Sequence, residues 1–169
     1  MKKVVLLGDS IRQIGYGKKV AALLEPDYTV WQPDDNCRYA QYTLHGVLED
    51  WAAELADADI VHWNNGLWDS LQVLPDPLPV VPLDEYRRNL GRIVNRLRLI
   101  FPNARLAFAT TTSVITERMR PGFRRENGLI EAYNDAAREI MDRAGGAVDD
   151  PHPVARAMPE DRPATHATH

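Results

Sequence analysis

Four consecutive apolar residues, Val4-Val5-Leu6-Leu7, run straight into Gly8-Asp9-Ser10. A strand that is apolar at every position has no solvent side. Such strands occur in parallel sheets covered by helices on both faces. The rest of the chain alternates in the way that architecture demands. Lys18 to Leu24 reads as a helix stopped before Pro26, and Thr29 to Gln32 as a second strand. Tyr42 to Leu55 carries Leu44, Val47, Leu48 and Trp51 on one helical stripe, and Asp59 to Trp63 is a third strand ending in Asn64-Asn65-Gly66. Leu74 to Pro82 is a proline-rich crossing without an element. A long helix begins at Leu83, with Tyr86, Leu90, Ile93, Leu97 and Ile100 on one face, and is closed by Pro102. Arg105 to Thr110 is a fourth strand, Thr111 to Arg125 a polar loop, Gly128 to Arg143 a helix, and Ala147-Val148 a fifth strand. The order predicts an α/β fold, a three-layer α/β/α sandwich with a five-stranded parallel sheet and right-handed crossovers. The tail from Pro151 onward has little periodicity.

At 169 residues the chain is expected to be a single domain spanning 1–169. Its net charge of −4, without a basic cluster, argues against a nucleic-acid partner. No apolar stretch reaches membrane-spanning length, and no secretory leader follows Met1. The single cysteine, Cys37, excludes an internal disulfide. These features predict a cytoplasmic protein with no membrane association. No His, Cys and Asp cluster has the spacing of metal ligands, so no metal or other cofactor is expected. Gly15-Tyr16-Gly17 lacks the spacing of a phosphate-cradling loop, which leaves a flavodoxin-like nucleotide binder as a distant reading.

Gly8-Asp9-Ser10 is the motif with chemical content. It places a serine hydroxyl at the carboxyl edge of the sheet, where ligands collect in open α/β folds. A serine hydroxyl needs a base before it becomes a nucleophile at neutral pH. The segments VVLLGDSIRQIGYG and VHWNNGLWD, together with a histidine close to the C-terminus, resemble the GDSL, or SGNH, family of serine hydrolases. The resemblance implies that Ser10 is the nucleophile. It also implies that residues after the second and third strands build the oxyanion hole, and that an Asp-x-x-His block near the C-terminus supplies the base and its orienter.

Three departures from that pattern leave alternatives open. Asn64-Asn65-Gly66-Leu67-Trp68-Asp69 matches the family's Gly-x-Asn-Asp block imperfectly, so Asn65 is the first candidate for an oxyanion donor, with Asn64 next and Gly66 in the turn. The glycine of the second block is missing from Asp35-Asn36-Cys37-Arg38-Tyr39, where a backbone N–H of Cys37 or Arg38, or the Asn36 side chain, takes its place. For the base, His169 is the first candidate, with His166 standing where the family has an acid and Asp161 as a substitute orienter. Asp149 and His152 form a literal Asp-x-x-His and are the alternative pair. His45 reads as a surface residue and His62 as a structural one within the third strand. Arg12 reads as a structural pairing residue, and Trp63 and Trp68 as a wall for a sugar ring or as core. The family continues past the last block into a further helix, so this chain is expected to be cut short of it.

The resulting expectation is a serine esterase that hydrolyses short acyl esters, such as acetyl esters of a carbohydrate or a lipid-like molecule, through an acyl-enzyme. A small-molecule ester is the only partner this implies. The competing expectation is a catalytically impaired binding domain of the same ancestry.

Overall fold

The computed structural model describes residues 1–157. β1 (Lys2–Leu7), β2 (Tyr28–Trp31), β3 (Ile60–Trp63), β5 (Arg105–Ala109) and β7 (Ala147–Asp149) form one sheet in the order β2-β1-β3-β5-β7. Every pairing in it is parallel, with Val4 opposite Val30 and Ile60, Trp63 opposite Leu7 and Phe108, and Phe108 opposite Val148. The predicted three-layer α/β/α architecture is the one observed. Between β3 and β5 lies β4 (Gln72–Val73), which pairs antiparallel with β6 (Phe123–Arg124) in a separate two-stranded ribbon. Two-residue strands carry no periodicity, which is why β4, just before the 74–82 crossing, and β6, inside 111–125, have no counterpart in the sequence reading.

One face of the sheet presents Val5, Leu7, Val61, Trp63, Leu106 and Phe108, all buried. They pack under α2 (Ala40–Leu48), α3 (Leu83–Ile100) and α4 (Asn127–Arg143) as a single core. Trp63 and Phe108 meet edge to face, with centroids 5.3 Å apart. The Trp63 indole is therefore core and not a sugar-binding wall, whereas Trp68 is half-buried. The opposite face carries Val4, Leu6, Ile60 and His62 and is covered by α1 (Gly17–Leu24).

Three helical segments depart from the sequence reading. α2 ends at Leu48, not Leu55, because the Trp51 indole folds back over Gly46, where an added Cβ would lie 2.4 Å from the ring. Trp51 and Leu55 stay buried through irregular turns instead. Between β1 and α1 the chain makes a π-helix from Ile11 to Tyr16, and a short helix α5 (His152–Arg156) follows β7.

The topology selects one crevice. The crossover from β1 leads to β2 on one side, and the next returns past β1 to β3 on the other. The loops after β1 and β3 therefore diverge, which opens the sheet's carboxyl edge at that switch point. Gly8-Asp9-Ser10 and Asn64-Asn65-Gly66 are those two loops.

Candidate active site

Ser10 caps the π-helix with φ −60° and is 4% exposed. Asp9 fixes the turn beneath it: its Oδ1 accepts the Ile11 N–H at 2.9 Å and its carbonyl the Gln13 N–H at 3.0 Å. No acceptor is recorded for the Ser10 N–H among the described residues, so it stands free at the start of the helical segment. Asp9 is fully buried, and that burial raises its pKa, against the lowering effects of the Ile11 amide, the Asn64 side chain, Arg125 and Arg12.

Arg12 is buried and structural. Its guanidinium donates to the carbonyls of Pro33 at 2.7 Å, Gly8 at 3.2 Å and Asp35 at 2.6 Å, tying the end of β1 to the loop after β2. Satisfying several carbonyls at once is what the five-donor guanidinium does best.

Of the two asparagines, the structure puts Asn64 at the site and turns Asn65 away. Asn64 hydrogen-bonds the Asp9 side chain and lies against Gly8. Asn65 points into the protein, where Nδ2 donates to Thr43 Oγ1 at 2.9 Å and to the Arg38 carbonyl at 3.2 Å. Both of its amide hydrogens are consumed. Gly66 adopts φ +136°, and a Cβ there would lie 2.6 Å from Thr111 Oγ1, so the turn requires glycine. Asp69 anchors the far end of this loop to α2, accepting the Ala40 N–H at 2.8 Å. Its burial pushes the pKa up to about 7, against lowering hydrogen bonds from the amides of Ala40, Gly66 and Asp69 itself.

The loop after β2 also differs from expectation. The Cys37 N–H is spent on the Gly8 carbonyl at 3.0 Å, and the Arg38 N–H on Asn36 Oδ1 at 2.8 Å. Neither amide is available to an oxyanion. The Cys37 thiol is buried 3.7 Å from an Arg12 nitrogen, and burial raises its pKa. Arg38 takes φ +45°, the left-handed conformation that the missing glycine would adopt most easily. The Tyr39 N–H, one residue on, has no acceptor among the described residues.

The alternative pair Asp149 and His152 is not brought together. Asp149 Oδ2 lies 3.3 Å from His62 Nε2, across the sheet. His152 is buried at the start of α5, with Nδ1 2.9 Å from the Thr111 carbonyl and Nε2 3.5 Å from Glu131 Oε1. A carbonyl can only accept, so Nδ1 carries the proton. The pair fails because α5 begins at His152 and turns its ring toward Thr111, whereas the β7 register sends Asp149 toward His62. His45 lies at the surface, 3.6 Å from Asp50. His166, His169 and Asp161 lie outside the described residues.

A cavity of about 540 Å³ runs along the α1 face of the sheet, from Ile60 and Val4 to Asn64 and Ile11 at the carboxyl edge. His62 and Asp149 line it, and the Tyr16 ring meets the His62 ring edge-on at 5.9 Å.

Arg125, beside the ribbon of β4 and β6, was not anticipated from the sequence. It is 4% exposed, its Nε donates to the Leu67 carbonyl at 2.9 Å, and its charge acts on Asp9. Placed in a polar loop with three other arginines between 118 and 125, it carries no signal that separates it from a solvated charge.

No family model matches the chain, and no curated protein matches it in sequence. Solved structures do match in fold. A lipase/acylhydrolase from Enterococcus faecalis is 20% identical with a TM-score of 0.67, the alignment covering 94% of this chain and 80% of that one. A variant of an acetyl xylan esterase from Geobacillus stearothermophilus is 16% identical with a TM-score of 0.71, covering 99% and 86%. A GDSL-like lipase from Parabacteroides merdae is 10% identical with a TM-score of 0.64, covering 87% and 76%. With its parallel sheet, its strand order and the serine turn after β1, the chain has the fold of the GDSL, or SGNH, hydrolases.

Proposed function

We propose that this protein is a serine ester hydrolase acting on short acyl esters, with Ser10 as nucleophile. One observation carries the reading: Ser10 sits at the switch-point crevice between β1 and β3, on a turn that the Asn64 side chain clasps from the neighbouring strand. In this mechanism Ser10 Oγ attacks the ester carbonyl carbon while an imidazole takes its proton. The tetrahedral oxyanion accepts hydrogen bonds from the Ser10 N–H and from the Asn64 amide hydrogen not given to Asp9. Such donors are each typically worth about 10²–10³ in rate. Collapse expels the alcohol, which takes the proton back from the imidazolium, and water attacks the acyl-enzyme by the same route. No described imidazole hydrogen-bonds Ser10, so the base in this reading is His169, with His166 in the place of its orienter. The solved structures with this fold include acetyl xylan esterases, which supports an acetyl or similarly small acyl group on a carbohydrate as substrate.

Hydrolysis of p-nitrophenyl acetate by the wild type and by Ser10→Ala tests the proposal. The variant is expected to fall to the uncatalysed rate, and equal rates would end the assignment. His169→Ala and His166→Ala identify the base by which of them abolishes turnover. A second reading, a binding domain that no longer turns over ester, is favoured by one observation: no described imidazole hydrogen-bonds Ser10. A chain that ignores a fluorophosphonate probe while binding an acetylated sugar would support that reading.

A further inference from the structure

Three helices cover the Trp63 face of the sheet, whereas the opposite face lies under α1, which is eight residues long. A helix about 10 Å across roofs roughly two strands at about 4.8 Å spacing, and this sheet has five. The cavity of about 540 Å³ lies in the space that α1 leaves. Its floor is Val4 and Leu6 of β1 beside Ile60 of β3, and Val20 and Leu24 of α1 wall it. The lining changes character along the strands. Toward their carboxyl ends it turns polar, with His62, Asn64, Asp149 and the run Thr110, Thr111 and Thr112. That end adjoins the serine turn: Ile11 follows Ser10, and Asn64 hydrogen-bonds the Asp9 side chain. The other end, at Leu24 and Ile60, is apolar.

We infer that this cavity holds an unbranched alkyl chain carried by the alcohol of the ester, its tail toward Leu24 and Ile60 and its ester linkage at the Ser10 turn. The assignment rests on the hydrolase reading above: it keeps the small acyl group and gives the alcohol a chain. An alcohol that is polar throughout would lie on an apolar floor that offers it no hydrogen bond. The volume falls in the range of small-molecule sites, roughly 300–1,000 Å³. The length from Ile60 to Asn64, about 13 Å at the rise of a strand, admits an extended chain of about eight to ten carbons.

The test compares hexyl acetate, ethyl hexanoate and ethyl acetate, with hydrolysis followed by titrating the carboxylic acid that each releases along with its alcohol. Hexyl acetate is expected to exceed ethyl acetate in kcat/KM by about a hundredfold, the gain from burying three to four methylenes at roughly fourfold each. Ethyl hexanoate, whose chain sits on the acyl side, should lie close to ethyl acetate. Val20→Phe fills the cavity from α1 and Ile60→Phe fills it from the floor, and each should bring the ratio of hexyl to ethyl acetate near one. The ratio is insensitive to the fraction of folded enzyme, and either variant replaces the other if one fails to fold. A readout without turnover uses Ser10→Ala. The neutral probe N-phenyl-1-naphthylamine should fluoresce on binding it and be displaced by 1-hexanol, and the added Val20→Phe change should remove the signal. A wild-type ratio near one, a ratio unchanged by both phenylalanine variants, or equal rates for ethyl hexanoate and hexyl acetate overturns the assignment. So does the absence of a probe signal, as when a segment of the chain itself fills the cavity. If ethyl acetate is hydrolysed in a Ser10-dependent way without chain preference, the chain site falls and the hydrolase stands. If no ester is hydrolysed but probe binding is lost with Val20→Phe, the chain site stands and the hydrolase falls.

Discussion

Gly8→Ala isolates the contact between β1 and β3 on which the proposed oxyanion hole depends. A Cβ at Gly8 would lie 2.1 Å from Asn64 Oδ1, 3.2 Å from Asn64 Cγ and 3.0 Å from Arg12 Cβ. Arg12 cannot yield, because its guanidinium is tied to the carbonyls of Gly8, Pro33 and Asp35. Asn64 is a side-chain end with rotamers available, so it is the group that moves. Its departure removes its hydrogen bond to the buried Asp9 carboxylate, costing about 1–3 kcal/mol of stability. The main-chain bond from Cys37 to the Gly8 carbonyl survives, so the fold is retained. The same departure removes one oxyanion donor, a loss of about 10²–10³ in kcat. Two assays read these effects: urea unfolding at constant m-value, and kcat on p-nitrophenyl acetate. Asn64→Ala alone should match Gly8→Ala in kcat, and the double variant should lose no more than either, because both remove the same donor. A Gly8→Ala enzyme with wild-type kcat refutes the argument. So does a double variant whose losses multiply.

Asp69 should make stability fall with rising pH. Its folded pKa, about 7, lies above the ordinary 3.8, so between those values the folded chain holds a proton the unfolded chain has lost. The resulting stabilisation is complete below about pH 4 and is lost through pH 7, by up to about 4 kcal/mol. Asp69→Asn cannot ionise, so the stability difference between it and the wild type should change with pH across that window; parallel profiles in urea titrations would disprove the shift. Arg12→Met leaves the Pro33 and Asp35 carbonyls without their recorded donors and should cost about 2–4 kcal/mol in denaturant unfolding, an effect under 1 kcal/mol showing that the clamp is not structural. Phe108→Ala empties the space beneath the Trp63 ring and should cost about 3–5 kcal/mol, with a Tm drop that scanning calorimetry detects.

The fold was legible where burial imposes a period. The run Val4–Leu7 and the stripe through Tyr86, Leu90, Ile93 and Leu97 each place apolar residues as a sheet interior or a helix face requires, and all of these residues are buried. The errors fall where a tertiary contact overrides local pattern. Trp51 continues the α2 stripe in sequence but leaves the helix to cover Gly46. β4 and β6 exist only because they pair with each other across more than forty residues of chain, which no local window contains.

The site was legible at Ser10 and opaque around it, and the reason lies in how polar residues behave at a strand edge. Asn64 and Asn65 are identical in chemistry and adjacent in sequence. Successive residues leaving a strand point to opposite faces, so one clasps Asp9 and the other is consumed by Thr43 and Arg38. Only the register of β3 against β1, with Trp63 opposite Leu7, decides which is which. Asp9, Arg12, Asp69 and Arg125 pose the same difficulty. In a sequence they are ordinary turn and surface residues, but each is at most 4% exposed beneath one short stretch of sheet edge. Burying that much charge is costly unless it is paired or put to use. Each of the four holds a main-chain group, and the atoms left without a partner are Asp9 Oδ2, Arg12 Nε and Asp69 Oδ2, so this edge carries more buried charge than its own hydrogen bonds satisfy.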